Sequence, residues 1–198
     1  MATDLETREV SVSSAAATAN PAPLGLAGFA LTTFVLSCFN AGFINGDLVG
    51  VVLPLALFYG GLAQLLAGMW EFKKANTFGA LAFSTYGAFW MSFAGYAYFI
   101  APKLPVATAY QATGLYLLAW TIITAILFVA TFGLNSHLKS LFGALLLTFI
   151  LLTVGAFGQS SSMTAIAGYV GILTALIAWY GVLAHVANST MGRTVFPI

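Results

Sequence analysis

Charged residues are scarce in this sequence. Its 198 residues include six Lys and Arg and five Asp and Glu, only 6% of the chain, for a net charge of +1. A soluble domain keeps about a quarter of its residues charged, so this chain lacks the surface that would keep it dispersed in water. Scattered cations also form no basic face, which excludes a nucleic-acid partner. With 61% hydrophobic residues, the chain is an integral membrane protein.

Metal ligands and catalytic groups are equally few. The chain has one cysteine, Cys38, and two histidines, His137 and His185. A structural zinc site takes four such ligands, so we predict no metal site, and a lone cysteine forms no disulfide within the chain. We find no Ser-His-Asp arrangement, no paired carboxylates in an apolar stretch and no phosphate-cradling glycine loop. The sequence therefore predicts neither a cofactor nor a catalytic residue, and the protein is not expected to be an enzyme.

What the chain does have is long apolar stretches. A membrane-spanning helix needs about 20 predominantly apolar residues. The stretches predict six such helices, at residues 24–44, 48–70, 77–100, 114–133, 138–158 and 163–186. Asn20 is predicted to cap the first of them, with Pro21 at its first helical position. We expect a disordered cytoplasmic tail over residues 1–19, one transmembrane domain over 20–187 and a short cytoplasmic tail over 188–198.

Lys and Arg are distributed unequally between the two sides of these predicted helices. Both termini, the loop between the second and third helices and the loop between the fourth and fifth fall on one side. That side carries Arg8, Lys73, Lys74, Lys139 and Arg193, and the other side carries Lys103 alone. Because cytoplasmic loops are enriched in Lys and Arg, we predict that both termini are cytoplasmic and that the protein lies in the cell membrane.

Small residues recur at four-residue spacing along the second predicted helix. Gly60, Gln64 and Gly68 continue a row that begins near Gly42. Such rows let helix backbones approach closely in lipid, so we expect this helix to be internal and tightly packed. A weaker pattern relates the first, third and fifth helices, whose starts read PLGLAGFA from Pro23, TFGALAFS from Thr77 and LFGALLLT from Leu141. The echo is compatible with helical hairpins repeated about an axis along the membrane normal.

No Asp, Glu, Lys or Arg lies near the centre of a predicted helix, so the chain offers no midplane carboxylate for a proton relay. Only Glu71 and His185, close to helix ends, remain as candidates for proton coupling. Among the neutral polar groups, Gln64 stands out because a buried amide has four hydrogen-bonding positions to satisfy. The residues leave two interpretations of Gln64 open: it lines a path for a solute, or it bonds one helix to another.

Three stretches carry a family resemblance: NPAPLGLAGFALTT from Asn20, FYGGLAQLLAGMWEFKKANTFGALAFSTYGAFW from Phe58, and GRTVFPI from Gly192. They resemble the acetate uptake transporter family, the succinate-acetate permeases, over residues 20–198. The sequence departs from the family pattern at Ala75, where the pattern has Gly, and we expect this to affect only the flexibility of the loop.

The resemblance implies a six-helix protomer that assembles into a hexamer and carries acetate and related short carboxylates, with succinate in some members. It also implies a hydrophobic constriction formed by Phe29, Tyr86 and Leu145. Thr33 lies four residues after Phe29, and Thr148 lies three after Leu145, so each shares a helix face with a constriction residue. Thr33, Thr148 and Gln64 are therefore the candidate substrate contacts.

The mechanism is open at this point. Transport linked to protons is the leading hypothesis, and a facilitated anion channel for acetate is the alternative. A protein of a different class, a structural or regulatory tetraspan-like bundle that binds partners and transports nothing, would share the same apolar helices. Neutral polar side chains around an internal path would distinguish a transporter from such a bundle.

Overall fold

The computed structural model describes residues 18–198, and this part of the chain is entirely helical. Six long helices cross the molecule. They are α1 (Ala22–Asn40), α2 (Gly46–Lys73), α3 (Thr77–Gly95, continued by a π-helical turn over Tyr96–Ile100), α4 (Ala109–Gly133), α5 (Ser136–Phe157) and α6 (Ser161–Met191). The predicted disordered tail over residues 1–19 lies almost wholly outside the described residues. The predicted all-α fold of six helices is confirmed.

Five of these helices are long and apolar enough to span a membrane by length and composition, and α3 is the one that is not among them. Three helix boundaries differ from the sequence prediction by four or five residues. Helix α1 ends at Asn40 because Gly42, at a left-handed φ of +77°, turns the chain. Helix α4 begins at Ala109, five residues earlier than predicted, and α6 runs to Met191, into the predicted tail.

Helix α2 is irregular along its length. It begins as a 3₁₀-helix (Gly46–Val51), becomes α-helical (Val52–Leu57), widens into a π-helical stretch (Phe58–Ala63) and ends as an α-helix (Gln64–Lys73). The prediction that this helix is internal is wrong for the single chain, since one whole side of α2 is exposed. Only the side with the four-residue row after Gly60 is buried, because that side alone faces α1 and α3.

Helix α1 packs on α6 and on α2, α2 also packs on α3, and α5 packs on both α4 and α6, whereas α3 and α4 meet at only a few residues. Glycine is required where α2 crosses α3. A Cβ at Gly87 would lie 2.6 Å from the Leu65 backbone nitrogen, and one at Gly68 would lie 2.6 Å from the Ser84 backbone nitrogen. Both distances are shorter than any real contact of this kind, so these two helices approach backbone to backbone.

Asparagine side chains stand at the starts of α1, α3 and α5. Asn76 accepts a hydrogen bond from the Gly79 backbone N–H at 3.1 Å, and Asn135 accepts one from Leu138 at 2.9 Å. Asn20 accepts from the Ala22 backbone N–H at 3.3 Å, but the cap position itself is occupied by Pro21, one residue later than predicted. The three odd-numbered helices thus begin with the same chemistry at one end of the bundle.

Ala75 is strained in a way that the sequence did not reveal. Its φ is +56°, in the left-handed region that a side chain makes costly, and it immediately precedes the capping Asn76. Ala75, where the family pattern has Gly, therefore strains the backbone as well as changing the flexibility of the loop.

We predict that Ala75→Gly raises the free energy of unfolding by about 1 kcal/mol, because Gly adopts this φ without a Cβ clash. Thermal unfolding of the protein in detergent measures the change. Ala88→Gly, at an exposed position inside α3, is the matched control and should lower stability by about 1 kcal/mol. Equal destabilisation by both substitutions would show that the loop is not strained.

Candidate functional site

A cavity of about 270 Å³ lies among α1, α3 and α5, at the end of the bundle where these helices begin. Its outer lining includes the exposed Asn20, Asn76 and Asn135. Apart from Gln64, its inner lining is apolar, and it ends at the buried Phe29, Tyr86 and Leu145. The cavity is therefore open to the helix starts and narrows toward the middle of the bundle.

Equivalent positions of α3 and α5 line this cavity. When the sequences of α3 and α5 are aligned at the capping residues Asn76 and Asn135, each cavity-lining residue of α3 is matched by a cavity-lining residue of α5. They are Phe78, Gly79, Ala82, Phe83 and Tyr86 in α3, and His137, Leu138, Leu141, Phe142 and Leu145 in α5. This spacing keeps one helix face toward the cavity over more than two turns. Helix α1 contributes Ala22, Leu26 and Phe29 from one face in the same way.

The three residues of the predicted constriction lie together at the inner end. The rings of Phe29 and Tyr86 are 5.9 Å apart between centroids, and Phe142 lies 6.1 Å from Tyr86. Leu145 is 4% exposed and lines the same cavity. The structure thus brings Phe29, Tyr86 and Leu145 to one depth, while their role as a constriction stays a prediction.

A hydrogen bond fixes the orientation of Tyr86. Its hydroxyl lies 2.9 Å from Thr124 Oγ1 of α4, and Thr124 donates its own proton to the Trp120 carbonyl at 2.7 Å. Because a threonine hydroxyl has a single proton, Tyr86 must donate in this pair. The tyrosine ring is held against α4, and its proton is not available to a solute in the cavity.

Gln64 also lines the cavity, from α2. It is 1% exposed, and its Oε1 has no hydrogen-bond partner among the described residues. The π-helical stretch ends directly before it, and such a widened turn rotates the residues that follow around the helix axis. A buried amide that is not bonded to a neighbouring helix and that borders a cavity favours the path interpretation of Gln64 over the structural one.

The candidate threonines do not line the cavity. Thr148 donates to the Ala144 carbonyl at 2.9 Å and lies 3.3 Å from the Thr174 hydroxyl, so its proton is committed to its own helix. Thr33 is buried, and its hydroxyl has no partner among the described residues. Both lie beyond the inner end of the cavity, and of the two only Thr33 keeps a free donor.

The proton-coupling candidates lie in different surroundings. Glu71 is fully buried but does not line the cavity. Its Oε2 accepts from Asn76 Nδ2 at 2.9 Å, whereas its Oε1 has no partner among the described residues. His185 is half-buried in α6 and lines the cavity directly. Glu71 therefore reaches the cavity only through Asn76.

Several residues that the sequence analysis did not single out belong to this site. Asn76, Asn135 and His137 border the cavity mouth, and Lys74 donates from Nζ to Asn20 Oδ1 at 3.1 Å beside it. Each helix start also presents backbone N–H groups, equivalent to about half a positive charge. Asn76 could have been found from the sequence, because it stands directly before the predicted third helix, whereas Asn135 precedes the predicted start of the fifth by three residues. The mouth favours negative charge.

These features define a class: a polytopic helical membrane protein with a solute cavity among its helices. A family model supports the same conclusion, since the model described as the GPR1/FUN34/yaaH family matches residues 2–198. This chain belongs to the GPR1/FUN34/yaaH family. The family consists of transporters and channels, as predicted from the resemblance, and the protein is not an enzyme.

Individual relatives support the same family membership. The chain is 46% identical over 191 residues to accumulation of dyads protein 2 of Saccharomyces cerevisiae, covering 91% of this chain and 66% of that protein. It is 40% identical over 182 residues to the succinate-acetate/proton symporter SatP of Escherichia coli, covering 91% and 95%. The solved structure of the bacterial acetate channel SatP superposes with a TM-score of 0.85 at 38% identity, covering 92% of this chain and 99% of that one. The chain thus spans slightly less than two thirds of the yeast protein.

Proposed function

We propose that this protein carries acetate and related short-chain carboxylates, including succinate, across the cell membrane through the cavity among α1, α3 and α5. The observation that carries the proposal is the buried Gln64 at the wall of that cavity, whose amide oxygen has no hydrogen-bond partner among the described residues. The amide adds no fixed charge: its oxygen can accept a hydrogen bond from the O–H of the neutral acid, and its N–H can donate to the carboxylate. The similarity to the succinate-acetate/proton symporter and the acetate channel supports this substrate class.

The size and electrostatics of the cavity suit such a substrate. The cavity volume of about 270 Å³ is several times the roughly 30 Å³ that one water molecule occupies in the liquid. Acetic acid, which has four heavy atoms, therefore fits with part of its hydration shell. The three helix starts at the mouth attract the carboxylate. The apolar inner lining around Phe29, Tyr86 and Leu145 then accepts the methyl group and removes water. We propose that this ring is the constriction that selects by size.

Proton linkage forms part of the proposal. His185 is the group through which we expect a proton to enter the cavity, because it lines the wall, and Glu71 would respond through its bond to Asn76. A facilitated acetate channel is the second candidate. In its favour, no Asp or Glu lines the cavity among residues 18–198. A structural bundle without transport has no use for the unpartnered amide oxygen of Gln64.

Orientation and assembly complete the proposal. We propose that the cavity mouth and both termini face the cytoplasm, which the Lys and Arg asymmetry supports. We further propose a homo-hexamer in the membrane, as the family resemblance implies. Large apolar side chains on the exposed side of α2, including Phe58, Leu62 and Trp70, are available for contact with lipid or with a second protomer.

Uptake of labelled acetate into liposomes containing the purified protein tests this function. With an inward proton gradient we expect accumulation above equilibrium, after the diffusion of acetic acid into empty liposomes has been subtracted. Rapid equilibration that ignores the gradient would establish the channel instead. Flux equal to that of empty liposomes would refute transport of acetate and favour the structural bundle.

Substrate size discrimination tests the constriction. We predict that Leu145→Ala reduces the preference for acetate over butyrate by about 10-fold, because a hydrophobic pocket discriminates by about 1–3 kcal/mol per methylene. Competition of unlabelled acids against labelled acetate uptake measures the change. Leu147→Ala is the matched control, since Leu147 lies on the same helix, is 47% exposed and does not line the cavity. An unchanged preference in a folded Leu145→Ala protein would remove Leu145 from the constriction.

A further inference from the structure

Helix α4 is the one long helix that contributes no residue to the cavity lining among residues 18–198, although it packs on α5. It approaches α3 at only a few residues. It nevertheless contacts the inner end of the cavity, because the Tyr86 hydroxyl lies 2.9 Å from Thr124 Oγ1. Thr124 is fully buried and does not itself line the cavity. Thr124 can therefore act on a solute only through Tyr86.

Pairs of side-chain hydroxyl groups, rather than closely packed backbones, join α4 to α3. Ser92 Oγ lies 2.8 Å from the Tyr116 hydroxyl, and the Tyr96 hydroxyl lies 2.6 Å from Thr113 Oγ1. Neither of these pairs lines the cavity, whereas the pair that includes Tyr86 lies at its inner end. The position of the Tyr86 hydroxyl thus depends on one threonine of α4.

The direction of this hydrogen bond follows from the threonine. Thr124 donates its single proton to the Trp120 carbonyl at 2.7 Å, so it can only accept from Tyr86. On the cavity side the Tyr86 ring packs 5.9 Å from the Phe29 ring and 6.1 Å from the Phe142 ring, measured between centroids. The hydroxyl is thus turned to α4, and the ring presents hydrocarbon to the cavity.

A free phenol donor at this depth would change how a carboxylate passes. A hydrogen bond in which one partner is charged is roughly twice as strong as a bond between neutral groups. Passage along a narrow path requires binding that is weak enough for release. A donor that is held out of the path therefore lets the anion leave the narrow part quickly.

We propose that Thr124 is a positioning residue for transport: by accepting the Tyr86 hydroxyl proton, it keeps this donor away from the carboxylate. This inference rests on the proposed function. When the acceptor on α4 is removed, the buried Tyr86 hydroxyl needs another partner, because a buried donor that is left unpaired is costly. The carboxylate of a solute at the inner end of the cavity supplies that partner.

The kinetics of labelled acetate uptake into liposomes test this role through Thr124→Val, which keeps the shape of the side chain and removes its hydroxyl. The freed Tyr86 hydroxyl then donates to the carboxylate and holds it. We expect the KM for acetate and the maximal rate both to fall by about 10-fold, since the bond is made to a charged group. A merely structural defect would lower the maximal rate without lowering KM. Thr124→Ser, which keeps the hydroxyl, should restore both values.

The same substitution in a Tyr86→Phe protein identifies the residue through which Thr124 acts. Because phenylalanine has no hydroxyl, adding Thr124→Val to it should change neither KM nor the maximal rate further. Thr121→Val is the matched control, since Thr121 lies one turn earlier on α4 and its hydroxyl lies 2.9 Å from Thr153 Oγ1 of α5. It should leave the KM for acetate unchanged.

Three kinetic results would overturn the proposal. They are an unchanged KM in a folded Thr124→Val protein, a fall in KM that persists without the Tyr86 hydroxyl, and a fall in KM that Thr121→Val reproduces.

A second measurement depends neither on flux nor on the folding of a variant. In lipid nanodiscs with tyrosine labelled with ¹³C at Cζ, the Tyr86 signal reports which group its hydroxyl donates to, and Tyr86→Phe assigns this signal. Acetate should leave the signal in place in the wild type and shift it in Thr124→Val. A wild-type signal that acetate shifts would contradict the role of Thr124 even where Thr124→Val fails to fold.

The two proposals can fail separately. Acetate uptake by the wild type, with an unchanged KM in Thr124→Val, would refute the role of Thr124 and leave the transport function in place. A Tyr86 signal that responds to acetate only in Thr124→Val, in a protein that shows no flux, would support the role of Thr124 and refute transport.

Discussion

The lack of water in the bilayer core is the constraint on which this structure depends. Each backbone N–H and C=O must be bonded inside the chain, which permits only helices across the apolar stretches. Polar backbone groups can then remain open only at helix ends. In α1, α3 and α5 these ends converge on one cavity, and asparagine side chains bond part of each. The position of the proposed anion site follows from where the helices start.

The asparagine caps also set the depth of the side chains that follow. Because Asn76 and Asn135 begin α3 and α5 at the same level, Tyr86 and Leu145 fall at matching positions along the two helices. The sequence echo between TFGALAFS and LFGALLLT suggested a different correspondence, which pairs Gly79 with Gly143. In the structure Gly79 lines the cavity and Gly143 faces Phe128 instead. The caps, and not the echo, therefore correspond to the register in which the two helices line the cavity.

Much of the fold could be predicted because hydropathy and turn residues act locally. The helix count followed from the length of the apolar stretches, and the grouping of Phe29, Tyr86 and Leu145 followed from the family motifs. The exposure of one side of α2 could not be predicted, because a row of small residues does not show how many neighbours a helix has. The commitment of Thr148 to its own backbone and the inward position of His137 depend on side-chain orientation, which sequence spacing does not determine.

We infer that one water-accessible path enters at the helix starts and ends at the Phe29, Tyr86 and Leu145 ring. Cysteine accessibility in a Cys38→Ala background tests it most directly, with a charged thiol reagent applied to the face where α1, α3 and α5 begin. We expect cysteines substituted for Ala82 and Leu141 to react with the reagent and to be protected by acetate, whereas a cysteine substituted for Thr148 should not react. Equal reactivity at all three positions, or none at Ala82 and Leu141, would contradict it.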